Sequence, residues 1–377
     1  MTFQCPTRVH TDLSFGKDLE KCVMATGSLM TSGILLTSPG WLERGIAHRV
    51  GQQLSTSVFV GKGIPSHPKL SDIVSVFDKL PIFDCVIAVG GGSVIDGAKV
   101  ISLLRAIDGD VDYLRDILVG SADLPEVLGC APIVAIPTTA GSGSEVTRWG
   151  TVWGSNNEKY SLSHPELFPH AALLDPSLCV SMSQSNTLSG ALDALSHSME
   201  AIWNVNSTLV SDFCAAAAIY AIRRRLPELM ARPESIRLRA DLQVAAFYAG
   251  LAMSTTRTAL CHSISYRLTA CCGLPHGFAS SLTLGEVARF NAVKAAARVK
   301  VISDAFGCDL REFPDRLHRW MKMLGVPDYL KGYLTPASAK EFGDDLIDTS
   351  RAGNNIREAS GEDARDILSR SLAAILV

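Results

Sequence analysis

The sequence is poor in charge and in long apolar runs, and it lacks the CxxC signature altogether. Only 19% of its 377 residues are charged, and the formal net charge is −3. A nucleic-acid binder that works by counterion release needs a basic face, and this balance offers none. The one basic cluster, Arg223-Arg224-Arg225, sits in a helical pattern followed by Leu226-Pro227 and reads as a solvated helix end. Phe213–Ile222 is among the longest apolar stretches, far short of the ~18 residues needed to cross a bilayer. The opening Met-Thr-Phe-Gln-Cys-Pro-Thr-Arg has no apolar core and carries charge early, so no signal peptide is expected and a cytoplasmic location is. Ten cysteines are present, but only Cys271-Cys272 are close, and neighbouring cysteines rarely bridge each other. Thiolate zinc sites and thioredoxin-like chemistry lose their usual pattern, and mostly buried thiols in a reducing compartment are expected.

What is present is apolar matter: 47% of the residues are hydrophobic, ample for two packed domains. The first half alternates short β-branched runs with helical patterns. Strands are expected at 34–38, 58–60, 85–89 and 133–136, with helices over about 41–54, 69–79 and 93–106. Continuous apolar strands alternating with helices indicate a parallel sheet covered on both faces. Beyond about residue 180 strand signals nearly vanish. Alanine-rich helical patterns take over at 188–203, 210–224, 240–253, 259–271 and 287–305. The expected fold is an α/β N-terminal domain with a parallel sheet (residues 1–182) followed by an all-α C-terminal domain (residues 183–377).

Two loops follow apolar strands in the first half. Gly90-Gly91-Gly92-Ser93 opens a helix, where backbone N–H groups and the positive end of the helix favour a pyrophosphate. Asp96 and Lys99 continue it as Gly-Gly-Gly-Ser-x-x-Asp-x-x-Lys, which is neither GxGxxG nor the P-loop pattern. The second loop, Pro137-Thr138-Thr139-Ala140-Gly141-Ser142-Gly143-Ser144-Glu145-Val146-Thr147, places hydroxyls at the carboxyl edge of the sheet, where open α/β folds bind ligands. In the second half, Asp193 and His197 share one helix face, and His262 and His276 lie further on. One Asp and three His suit a divalent transition metal, with Fe(II), Zn(II) and Mn(II) all left open by the spacing.

Taken in order, Gly90–Lys99, Pro137–Thr147, Asp175-Pro176, Asp193–His197, His262 and Pro275-His276-Gly277 resemble the iron-containing (group III) alcohol dehydrogenases, related in fold to dehydroquinate synthase and glycerol dehydrogenase. The resemblance implies metal ligands at Asp193, His197, His262 and His276. It implies nucleotide contacts at Gly90, Gly91, Gly92, Ser93, Thr138 and Thr139, and at Lys159 near the nicotinamide end. Asp96 and Ser142 in the same loops are further cofactor candidates. Ser38 stands where NAD-preferring relatives often carry an Asp, so both NADH and NADPH are expected to be accepted. The implied reaction is reversible hydride transfer between a nicotinamide cofactor and an aldehyde–alcohol pair, with Fe(II) as the expected metal and Zn or Mn as alternatives.

Two departures stand out. The family commonly has a histidine one turn after the third ligand, and here that position is Tyr266, either a proton donor or an aromatic wall. Arg257, a little over one turn before His262, has no Asp or Glu between Ala245 and Leu284 to pair with, and suits an anionic substrate. His262–Thr269 and Ala352–Arg357 resemble the phosphonoacetaldehyde reductase branch, which makes Asn354, Asn355 and Arg357 further anion-binding candidates. The expected partners are a small anionic aldehyde and a second copy of the chain, without nucleic acid or membrane. A general short-chain alcohol or lactaldehyde dehydrogenase, a lyase of the dehydroquinate synthase kind, and a non-catalytic binding protein are the alternatives.

Overall fold

The computed structural model describes residues 3–377 except 13, 25, 27–29, 56, 156–157 and 344–345. The chain divides into two compact units. One comprises Cys5–Thr139 and Ser144–Cys179; the other comprises Ala140–Gly143 and Val180–Val377 together with the first residues of the chain.

In the first unit the elements are β1 (Arg8–His10), α1 (Phe15–Met24), β2 (Gly33–Thr37), α2 (Pro39–Glu43), α3 (Ile46–Gly51), β3 (Val58–Val60), α4 (Leu70–Phe77), β4 (Cys85–Gly90), α5 (Gly92–Ala106), α6 (Val111–Val119), β5 (Ile133–Pro137), β6 (Trp149–Trp153), β7 (Lys159–Ser163) and β8 (Ala171–Leu173). A parallel sheet runs in the order β1-β8-β5-β4-β2-β3. Every residue of β2, β4 and β5 is buried, because helices cover both faces. Successive side chains alternate between two cores. Ile34, Leu36, Val86, Ala88, Ile133 and Ala135 pack with α5, whereas Leu35, Ile87, Val89, Val134 and Ile136 pack with α1 and α3.

The sequence pattern missed an antiparallel hairpin, β6–β7, and the short strands β1 and β8. The helix expected over 41–54 is two short ones, broken where Gly45 adopts φ 73°. The loop 137–147 is also divided: residues 140–143, Ser142 among them, pack with the second unit. A Cβ on Gly143 (φ 63°) would lie 2.4 Å from Gly250 Cα, so only glycine permits that approach.

The second unit contains α7 (Gln184–Ile202), α8 (Leu209–Ala231), α9 (Ile236–Thr256), α10 (Leu260–Cys272), α11 (His276–Leu282), α12 (Leu284–Phe306), α13 (Phe313–Met323), α14 (Val326–Leu330), α15 (Thr349–Ala352) and α16 (Gly361–Leu376). No β-strand occurs among its described residues. Ser183, Thr208, Ser235, Asp348 and Ser360 cap α7, α8, α9, α15 and α16 by accepting from backbone N–H groups of the first turn. α7 is buried almost throughout from Thr187 to Ile202, so its apolar residues and its metal-ligand candidates share the interior.

The basic run does not end a helix. α8 continues through Pro227 to Ala231, because Leu226 and Leu229 anchor the following turn in the core. Arg225 pairs with Asp241 at 2.9 Å, while Arg223 and Arg224 lie over Phe306 and Tyr220. Five of the ten cysteines are buried, four are half-buried, and Cys271 is exposed; all are free thiols. No helix among the described residues is long and apolar enough to cross a membrane.

Candidate functional site

In the first unit the sheet register assembles the nucleotide-binding candidates. Thr37 pairs with Val89, which sets Ser38 beside Gly90, and Gly90 pairs with Pro137, which sets Thr138 beside the glycine turn. Ser38, Gly90–Ser93 and Thr138–Thr139 therefore lie together at the carboxyl ends of adjacent strands. The turn fits a bulky anion: a Cβ on Gly91 would sit 3.2 Å from the Thr139 side chain, and no side chain caps the start of α5. Thr138 is held in place from both sides, its N–H donating to Gly90 O at 3.0 Å and its hydroxyl accepting from Trp41 Nε1 at 3.1 Å. Ser93 Oγ accepts from His67 N at 3.2 Å. Lys159 begins β7, opposite Trp153, close enough to His67 to help lower that imidazole below its usual range, though burial contributes more.

Asp96 has a different task from the one expected. Its Oδ1 accepts from Ser144 Oγ at 2.5 Å and its Oδ2 from Thr151 N at 3.0 Å, so both oxygens tie α5 to the segment entering β6. Beneath it the fully buried Lys99 ammonium donates to Ser144 O and Oγ, Thr147 Oγ1 and Trp149 O at 2.6–3.1 Å. The Asp96 and Lys99 part of the motif is a clamp for this segment. Its polar pattern gave no sign of that, since the partners lie about 50 residues away in sequence.

In the second unit, Asp193, His262 and His276 bring one donor atom each to within 4.8 Å of one another. Asp193 Oδ1 lies 3.5 Å from His262 Nε2 and 3.8 Å from the Nε2 atoms of His276 and His197. The His197 ring stacks on His262 with centroids 4.8 Å apart. Three helices build the cluster. Asp193 and His197 come from one face of α7, His262 from the first turn of α10, and His276 from the first residue of α11. Gly277 makes the last placement possible: a Cβ there would lie 1.9 Å from Ser189 O, so no other residue would let α11 approach α7 this closely.

The donor set fits a divalent transition metal. His262 Nε2 is buried and faces Asp193 Oδ1 at 3.5 Å without a well-formed hydrogen bond, a position in which an ion would join the two donors. Burial alone would raise the Asp193 carboxyl, but His197, His276 and His262 hold it well below its usual range. The ion-ready form of the carboxylate is thus the stable one. Ser280 Oγ donates to Asp193 Oδ1 at 3.1 Å and fixes its orientation.

One residue near the cluster was missed altogether. Glu200, fully buried on α7, accepts from His262 Nδ1 at 2.5 Å. Its place one further turn along the face of Asp193 and His197 is the signal that would have found it.

The substrate-side candidates are rearranged by the structure. The Tyr266 ring stands against His276. Asn355 is buried and paired with Asn291 amide to amide, at 2.8 and 3.1 Å, and also donates to Arg357 O. Arg357 donates to Phe290 O at 2.7 Å and lies over the Phe290 ring. Asn354 donates to Thr258 O at 2.8 Å. Asn355 is thus committed to internal structure and does not serve as an anion ligand, while Asn354 and Arg357 each make an internal hydrogen bond and remain half-buried. Arg257, expected to face an anionic substrate, is exposed. It ends α9 with φ 67° and ψ 177°, its carbonyl held by Asn204 Nδ2 and Thr256 Oγ1 at 3.2 and 3.1 Å.

Comparison with known proteins covers both units. A family model described as iron-containing alcohol dehydrogenase matches residues 10–176, and one described as the C-terminal part of the Fe-containing alcohol dehydrogenase family matches 187–372. The phosphonoacetaldehyde reductase of Streptomyces viridochromogenes is 33% identical over 65% of this chain and 66% of its own length, just under two thirds. Long-chain-alcohol dehydrogenase 1 of Geobacillus thermodenitrificans is 32% identical over 82% of this chain and 80% of its own. The crystal structure of sulfoacetaldehyde reductase from Bifidobacterium kashiwanohense in complex with NAD+ matches with a TM-score of 0.87 at 26% identity, covering 99% of this chain and 98% of that one. The matches extend from the sheet to the last helices, and the chain belongs to the iron-containing alcohol dehydrogenase family of oxidoreductases.

Proposed function

We propose that the protein reduces a small anionic aldehyde to its primary alcohol with NADH or NADPH in a metal-dependent reaction, phosphonoacetaldehyde to 2-hydroxyethylphosphonate being the substrate pair. The observation that carries the reading is the convergence of Asp193, His262 and His276, with His197 beside them, in a chain of this family. When bound, a divalent metal supplies a Lewis acid for the carbonyl oxygen and the nicotinamide supplies the hydride.

The chain's own residues do the rest. Asp193, His197, His262 and His276 would hold the ion, and Gly90–Ser93 and Thr138–Thr139 would receive the pyrophosphate. Tyr266, against His276, delivers a proton to the nascent alkoxide. The anion is argued from two relatives, named for phosphonoacetaldehyde and sulfoacetaldehyde, and from Arg257 close in sequence to His262.

The test is a set of aldehydes assayed with metal-depleted and Fe(II)-reconstituted protein, following NADH and NADPH oxidation. Phosphonoacetaldehyde should exceed propanal in kcat/KM by at least about tenfold, only after reconstitution, and His276→Ala should abolish the gain. A preference for propanal would replace the substrate with a neutral short-chain one. Absence of turnover with every aldehyde would remove the enzymatic reading.

A further inference from the structure

We infer that Glu200 is a positioning residue that sets the third metal ligand in place before any ion arrives; this rests on the reading of the cluster as a metal centre. α10 starts badly by its own sequence. Its N-cap residue is Ala259, which has no side-chain oxygen, and no side chain of the loop caps the helix. The carboxylate of Glu200 reaches across from α7 and does the work instead. Its Oε1 accepts from Cys261 N at 2.6 Å and His262 N at 3.1 Å, while Oε2 accepts from His262 Nδ1 at 2.5 Å. A negative charge at this end of a helix is also favoured by the helix dipole.

One buried side chain therefore fixes both the backbone of the ligand-bearing turn and the ring of the ligand. With the Nδ1 proton committed to Glu200, Nε2 is the atom left for an ion, and it is the atom that faces Asp193 at 3.5 Å. Asp193 and Glu200 stand on the same face of α7, so the helix acts as a jig for the distance between the first and third ligands.

The chemistry demands a carboxylate. Three donors meet two oxygens, and both oxygens must accept. A glutamine has one acceptor oxygen. Turned to the two backbone N–H groups, it presents its amide NH2 to Nδ1, which then has to accept and pushes the imidazole proton onto Nε2. Turned the other way, it sets N–H against N–H at the start of α10.

The experiment is a competition between metal-free protein and a chromophoric chelator for Co(II) or Zn(II), with melting temperatures of the metal-free proteins in parallel. Glu200→Gln should bind either ion about 10–100-fold more weakly than wild type and change the Co(II) absorption spectrum. Ser263→Ala is the control. It removes hydrogen bonds that tie α10 to Asp348, at 2.7 and 2.9 Å, without touching a ligand, and should lower the melting temperature while leaving affinity within about twofold. Unchanged affinity in Glu200→Gln overturns the inference, and so does a parallel loss in both variants, which would make Glu200 merely structural. If the Gln variant does not fold, Glu200→Asp keeps two acceptors but is shorter; its affinity should fall more than its melting temperature, and wild-type affinity there overturns the inference as well. Wild-type protein that binds neither ion would overturn the metal reading itself, and this inference with it.

Discussion

The ring of Tyr266 lies nearly parallel to that of His276, with centroids 6.2 Å apart and planes inclined by 22°. It stands one helical turn after His262 on α10, at the position where the family commonly has a histidine. Removing only its hydroxyl keeps the packing against His276 and deletes the proposed proton donor. Tyr266→Phe should lower kcat by at least about tenfold with KM changed less than about twofold. Tyr266→His should keep activity and move the alkaline limb of the pH profile for aldehyde reduction down, since imidazole titrates several units below a phenol and the donor must be protonated to act. Wild-type kcat in the Phe variant would reduce Tyr266 to an aromatic wall.

The register of β2 against β4 argues a cofactor prediction. Ser38 sits beside Gly90 and carries no charge that would repel a 2′-phosphate. NADPH and NADH should both support turnover, and Ser38→Asp should raise the KM for NADPH at least about tenfold while sparing NADH. Strict NADH dependence of the wild-type protein, with saturating NADPH inert, would contradict this.

The parts of the site legible in the sequence were those whose chemistry repeats at helical or strand spacing. Asp193 and His197 share a helix face, and Gly90–Ser93 directly follows an unbroken apolar strand. Residues whose partners are remote in sequence were not legible. Glu200 is identified by its bonds to Cys261 and His262, and Asp96 by its bonds to Ser144 and Thr151. Asn355 and Arg357 are named as anion ligands because Ala352–Arg357 resembles the phosphonoacetaldehyde reductase branch; their partners, Asn291 and Phe290, lie on α12 and are remote in sequence. The β6–β7 hairpin was missed because Trp149–Trp153 and Lys159–Ser163 are only half buried and mix polar with apolar residues.

The clamp beneath Asp96 gives a pH prediction. Burial pushes the Glu145 carboxyl up from 4.5 to about 7 and the Lys99 ammonium down to about 8, each opposed by the charge of the other. Between pH 4.5 and about 7 the folded chain keeps a Glu145 proton that the unfolded chain has lost, so raising the pH through that window costs stability. Glu145→Gln lacks this cost. Its stability relative to wild type should improve between pH 5 and 7.5, by up to about 3 kcal/mol, as read from denaturant midpoints at each pH. A difference that stays flat across the window would show that Glu145 ionises normally.

Arg257 combines a strained backbone with an exposed cation, and the two can be separated. Its φ of 67° and ψ of 177° belong to a region that is essentially reserved for glycine, at a cost of about 1–3 kcal/mol for other residues. Side-chain donors from Asn204 and Thr256 hold its carbonyl, and Asn354 holds the next one, so the surrounding structure maintains the strain. Glycine at this position would relieve the strain but loosen the unfolded chain by up to about 1 kcal/mol. Arg257→Gly should therefore be more stable than Arg257→Ala by about 1 kcal/mol, measured by denaturant unfolding. If the guanidinium grips the substrate anion, both variants should lose about 2–5 kcal/mol of binding to phosphonoacetaldehyde, read as a rise in KM, while propanal turnover stays near wild type. Equal stability of the two variants would remove the strain argument. Equal losses with both aldehydes would make Arg257 a structural residue and leave the anionic substrate resting on the relatives alone.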